Sequence, residues 1–193
     1  MKVSRAQMAE NRGRILDEAS RLFREKGFDA VTVSDVMKAA GMTHGGFYGH
    51  FASKDDLIAQ TLAYGLSKAG PAPTDWGTYL ERYLSSGRCN DPNGGCAISD
   101  LASDTARQTP EARAAMTAGI RTHLARLSAI QPEGSVSEQR RAAIGGWAAM
   151  VGATILSRAS EDEALSGEIL RETRAWIAAQ GRLTVDEGQD DEQ

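Results

Sequence analysis

Cysteine is nearly absent from this 193-residue chain. Cys89 and Cys96 are the only two, too few for a secreted disulfide scaffold. No histidine lies near them in sequence, so a zinc site is not expected, and no metal or cofactor is assigned. Long apolar runs are missing too. The longest falls far short of the ~18 residues a membrane span needs. No basic segment leads into an apolar stretch, so a signal peptide is excluded and a cytoplasmic protein without a membrane partner is expected. Nor does any window alternate apolar and polar residues between hairpin turns, which argues against strands. What remains, 41% hydrophobic and 25% charged residues, is an ordinary globular composition.

The net charge of −4 is unevenly spread. Residues 1–54 carry nine Lys or Arg against six acids, a net +3. The terminal "TVDEGQDDEQ" holds five acids and no base, so residues 184–193 read as an acidic, disordered, solvated tail.

Helical spacing fills almost everything else. Ile15, Ala19, Leu22 and Phe23 share one face of a first helix, closed by a basic turn and Gly27. Val33, Val36, Met37 and Ala40 repeat at i, i+3, i+4 and i+7 before Gly41. Leu57, Ile58 and Leu62 continue the pattern. Thr32…Asp35, Ser53…Asp56, Ser135…Glu138 and Ser160…Glu163 place a hydroxyl three residues before an acid, the signature of a capping box or its Asp variant. Thr109-Pro110-Glu111 marks another start. Beyond residue 70, helices are expected near 75–86, 95–108, 110–131, 136–159 and 161–180. The chain therefore reads as all-α, with a short helical unit (1–62), a longer helical bundle (63–183) and the tail (184–193).

The segment "TVSDVMKAAGMTHGGFYGHF", residues 32–51, has the layout of a helix-turn-helix, whose second helix enters the DNA major groove. A two-turn helix ends at Gly41, and Thr43 is placed to cap a very short second helix. Phe47 and Phe51 are expected to close a small core with Val36 and Met37. Thr43, His44, Gly45, Gly46, Tyr48 and His50 are then left outside. From Ile15 to Leu62 the pattern "A…LF…KGF…T…D…AG…G.FY.HF.SK..L" resembles the TetR family of transcriptional repressors. Gly46 and Gly49 depart from the residues common in that family, and both remove side chains from the outer face.

The glycines let backbone approach a phosphate chain or groove edge, where a Cβ would obstruct. The resemblance implies that Tyr48 and Lys54 contact phosphates, Lys54 with the help of helix N-terminal amides. Thr32 and Thr43 are placed to cap and to touch phosphate. His44 is the candidate for a base edge, and Lys2 with Arg5 for a minor-groove arm. The structural alternatives are Tyr48 covering the edge of the small core, Lys54 as a solvated charge and His44 as a phosphate ligand.

The resemblance further implies a ligand-responsive transcriptional repressor that binds a palindromic double-stranded DNA operator as a homodimer. It places the small-molecule effector among middle helices carrying Trp76, Tyr79, Tyr83, Met116, His123 and Trp147. Helix 136–159 contains Gly145, Gly146 and Gly152. Interior glycine costs about 1 kcal/mol relative to alanine, so close approach of another helix, or a tight ligand wall, is the expected compensation. Trp147, Trp176 and Ile177 are the expected dimer anchors. A rival reading uses Cys96, which follows Gly94-Gly95 and opens a helix, where the dipole lowers a thiol's pKa. Paired with Cys89 it would make a redox or electrophile sensor. A thiol oxidoreductase is weaker, because neither C-x-x-C spacing nor a βαβ context is present. No Ser/His/Asp or paired-carboxylate arrangement stands out, so an enzyme is not expected.

Overall fold

The computed structural model describes residues 4–68, 73–85, 87, 97–132 and 134–186. Every regular element among them is helical: α1 (Arg5–Ala30), α2 (Val33–Ala39), a 3-10 helix (His44–Gly49), α3 (Lys54–Ser67), α4 (Trp76–Tyr83), α5 (Ala97–Thr105), α6 (Pro110–Ser128), α7 (Val136–Ala159) and α8 (Glu163–Asp186). Lys2, Cys89, Cys96 and residues 187–193 of the acidic tail lie outside the described residues. Residues 184–186, assigned to the tail by composition, belong to α8.

Two compact units emerge, Met1–Gly70 with Cys96–Ile120, and Pro71–Gly95 with Arg121–Gln193. This division differs from a single cut at residue 62, because α5 and the first part of α6 cluster with the N-terminal helices.

In the first unit, Ser4 Oγ accepts from the Gln7 amide and starts α1. Gly27 interrupts that helix with φ 77° and ψ 169°, as the Lys26-Gly27 signal predicts. Thr32 and Asp35 form the full capping box of α2. Arg14 of α1 donates from Nη2 to the Ala40 carbonyl at 2.6 Å, which satisfies the C-terminal end of α2 and pins the two helices together. Ile15, Phe23, Met37, Phe47 and Leu57 are fully buried. Their shared core holds the 3-10 helix in place. Arg24 of α1 joins Asp100 of α5 through a 2.8 Å ion pair, and both side chains are largely buried.

In the second unit α7 and α8 make the most extensive pairing. Ser135 and Glu138 form the other capping box. The start of α8 differs from expectation. Asp162 Oδ1, not Ser160, accepts from the amides of Ala164 and Leu165, because a carboxylate one residue before the helix reaches its free N–H groups better than a more distant hydroxyl. Arg174 of α8 donates to the Leu84 carbonyl at 3.1 Å and pairs with Glu81 at 3.0 Å, fixing α8 against the end of α4. Helix α7 is the one described helix long and apolar enough to cross a membrane. Here Ala143, Gly146, Trp147, Met150 and Ala153 bury one of its faces inside the unit.

Candidate nucleic-acid interface

The reading segment is a six-residue 3-10 helix. Gly46 N–H donates to the Thr43 carbonyl at 3.0 Å, and His50 N–H to the Phe47 carbonyl at 2.8 Å. Three glycines in six residues deny it a stable α-helix, so its shape is imposed by packing. Phe47 is its only buried residue. That ring stacks on Phe51 at 5.6 Å, and the Arg12 guanidinium lies 4.7 Å from the Phe51 ring centre.

Everything else on the segment faces outward. Tyr48 is 69% exposed, so covering the core edge is not its role. Its ring meets Phe47 and His44 edge-on, at 5.3 Å and 6.3 Å. His44 and Thr43 are exposed. The Thr43 side chain makes no cap hydrogen bond, contrary to its expected capping role, because a 3-10 turn bonds i to i+3 through the backbone. A Cβ built at Gly45 or Gly49 would meet nothing within 4 Å. At Gly46 it would meet Met37 Cε at 3.7 Å, an ordinary contact. No neighbour within the unit therefore demands glycine at 45 or 49.

The flanking positions differ in what they offer. Lys54 is the first residue of α3, half-buried, behind the N-cap Ser53. His50 is half-buried, and burial, followed by the charge of Arg12, lowers its pKa below the ordinary 6.5. Thr32 is exposed, but its hydroxyl donates to Asp35 Oδ2 at 2.6 Å and its amide to the same oxygen at 2.9 Å. Both protons are therefore engaged in the capping box of α2. Arg5 is exposed in the first turn of α1, so an extended arm does not include it. Sequence reading missed Arg12 and Arg14, which support the segment from behind. Only their place on a basic stretch marked them, and nothing local signals a guanidinium reaching a carbonyl 26 residues away.

Five of the six predicted effector residues gather in the second unit. Trp76, Tyr79 and Tyr83 line one side of α4, with centroids 6.1 Å and 5.6 Å apart along the row. Tyr79 Oη and His123 Nε2 are hydrogen-bonded at 2.9 Å, and the His123 ring lies 4.7 Å from Trp147. Trp147 is buried and its Nε1 has no hydrogen-bond partner among the described residues. Met116 is buried in the other unit. Two expected dimer anchors, Trp147 and Ile177, are buried within their own subunit. Both side chains pack into their own unit, although Ile177 also lines an open cleft there. Trp176 remains 54% exposed.

Residues 15–61 match the family of bacterial regulatory proteins known as the tetR family. The HTH-type transcriptional repressor KstR2 of Mycobacterium tuberculosis is 39% identical over 56 residues, which is 29% of this chain and 28% of that protein. The HTH-type transcriptional regulator AcrR of Shigella flexneri is 39% identical over 61 residues, 32% of this chain and 28% of its own length. The matched stretch thus spans little more than a quarter of these relatives. A TetR-family transcriptional regulator from Cytophaga hutchinsonii shares the fold, with a TM-score of 0.70 at 21% identity over 93% of this chain and 98% of that one. Residues 15–61 thus form an N-terminal domain of the tetR family of bacterial regulatory proteins.

Proposed function

We propose that the protein is a ligand-responsive transcriptional repressor that binds a palindromic operator as a homodimer and releases it when a small molecule binds the second unit. The observation that carries the reading is the outer face of the 3-10 helix. It presents the exposed Tyr48 and His44 among glycines that nothing inside the unit requires. Such a face suits close approach to a backbone of phosphates, with Tyr48 and Lys54 positioning and His44 reading. One six-residue reading helix makes few contacts, so two copies about one DNA turn apart, ~34 Å, supply the affinity.

Helix α7 supports the dimer. At about 100° per residue, Ile144, Gly145, Ala148, Gly152, Ile155 and Leu156 fall on the side opposite its buried face. Ile144, Ile155 and Leu156 are exposed, and Gly145 and Gly152 face open space. A helix apolar on all sides is normally covered on all sides, and here a second copy is the natural cover. For the effector, the unpartnered Nε1–H of Trp147 beside His123 and Tyr79 suits a molecule with an acceptor atom and aromatic or apolar surface.

The test is selection of duplexes from a random pool by the purified full chain, with its mass measured by light scattering. A palindromic consensus bound by a dimer is expected. A monomer that retains no duplex would sink the reading.

A further inference from the structure

The second unit carries an open cleft of about 490 Å³ that borders the packed ring cluster at Trp76. Trp76, Leu80, Ile130, Pro132, Ile177 and Ala178 supply apolar walls. Among the described residues of its lining Asp75 is the one charged side chain. The volume falls within the range of small-molecule pockets, roughly 300–1,000 Å³.

We propose that this cleft binds a lipophilic organic cation, with the charge held between the Asp75 carboxylate and the face of Trp76. The proposal goes beyond the operator-binding reading and does not depend on it. Three observations narrow the ligand class. The indole wall is rigid, because it rests on the Gly146 backbone and lies nearly parallel to Tyr79, at 28°. An aromatic face in that position attracts a desolvated cation. Asp75 stays ionised: its Oδ1 accepts from the Thr78 amide at 2.7 Å, and this backbone bond leads the causes that hold its carboxyl below the usual range. The α4 N-terminus adds about +0.5 charge, which leaves the mouth net negative and disfavours anions. Bare metal ions want six or more oxygens, which apolar walls do not offer. Sugars and other polar neutral molecules would leave most of their hydroxyls unpaired there.

The test uses two probes of nearly the same shape and opposite charge, tetraphenylphosphonium and tetraphenylborate, titrated calorimetrically into the full chain. Tetraphenylphosphonium is expected to bind at least about fivefold more tightly, the scale of one partly exposed charge pair. Asp75→Asn keeps an N-cap acceptor and should bring the two affinities together, with at most a small drop in thermal midpoint from the lost charge at the α4 N-terminus. Ala178→Arg, at an exposed lining position, should abolish tetraphenylphosphonium binding. Equal affinity for both probes, or an unchanged tetraphenylphosphonium affinity in Asp75→Asn, overturns the proposal. So does failure to bind either probe while Ala178→Arg weakens self-association, which would mean that a second copy covers the cleft. Duplex binding is read separately, so loss of operator recognition leaves this result standing.

Discussion

A methyl group on Gly146 would stand 2.5 Å from Cζ2 of Trp76, so the indole lies directly on the α7 backbone. Gly146→Ala must displace that ring and should destabilise the fold by about 1–3 kcal/mol, as overpacking does. Gly152, six residues on, has nothing within 4 Å of a built Cβ. Gly152→Ala should therefore stabilise the isolated subunit by about 1 kcal/mol through helix propensity. Urea denaturation of both variants at low protein concentration reads the opposite signs. Equal signs would show that the two glycines do not serve different faces.

On the proposed reading, positioning and reading should separate among Tyr48, Lys54 and His44. Tyr48→Phe and Lys54→Ala should weaken binding to all duplexes alike, and loss of Lys54 should lower the salt slope by about one phosphate per subunit. His44→Ala should change the preferred sequence as well as the affinity. Repeating the duplex selection with His44→Ala and recovering the same consensus would remove His44 as a reader.

The Arg24–Asp100 pair ties α1 to α5 with both side chains largely buried. Arg24→Met alone leaves the Asp100 carboxylate without this counter-charge and should cost about 3–5 kcal/mol. Arg24→Met with Asp100→Leu should recover most of that loss, because two apolar groups leave no buried charge. A double-mutant cycle by chemical denaturation measures the coupling. A cost under about 1 kcal/mol for the single variant would place the pair among surface bridges.

Burial, then the Arg12 charge, lowers the His50 pKa below its ordinary 6.5. Above that ordinary value both folded and unfolded chains carry His50 neutral, and it contributes no pH dependence. As pH falls from 6.5 toward the depressed folded value, the unfolded chain takes up the proton first and stability falls. Asp35 works at lower pH. The Thr32 hydroxyl and amide hold its carboxyl below the ordinary 3.8, so its contribution is complete above that value and is lost as pH falls through the folded one. Denaturation midpoints of wild type and His50→Gln between pH 5 and 8 should converge at the upper end and separate below 6.5, with His50→Gln flatter. Parallel curves would contradict the assignment.

Local signals carried most of the fold. The Thr32/Asp35 and Ser135/Glu138 boxes, the Gly27 break and the inward Phe47 and Phe51 all follow from residues within one turn of each other. Long-range partners were illegible. Nothing beside Arg14 points to the Ala40 carbonyl, and nothing beside Gly146 points to Trp76. Helical periodicity also could not decide that Trp147 faces inward, because α7 is apolar on both sides. The Ser160 and Thr43 signals failed for a related reason. The hydroxyl three residues before α8 loses to a nearer carboxylate, and the one directly before the 3-10 helix loses to its backbone turn; spacing alone does not rank these competitors.

The open positions at Gly45 and Gly49 bear on how much information this surface can hold. Few hydrogen-bonding side chains project from the 3-10 helix, so one copy can discriminate among few base pairs, and a two-copy operator recognised this way would be short and tolerant of change. The same vacancy makes the surface easy to rewrite. Side chains placed at 45 or 49 would meet nothing inside the unit, so new preferences could arise by single substitutions that leave the core untouched. If this face reads DNA as proposed, stability and specificity lie on separate residues of the domain and are free to evolve apart.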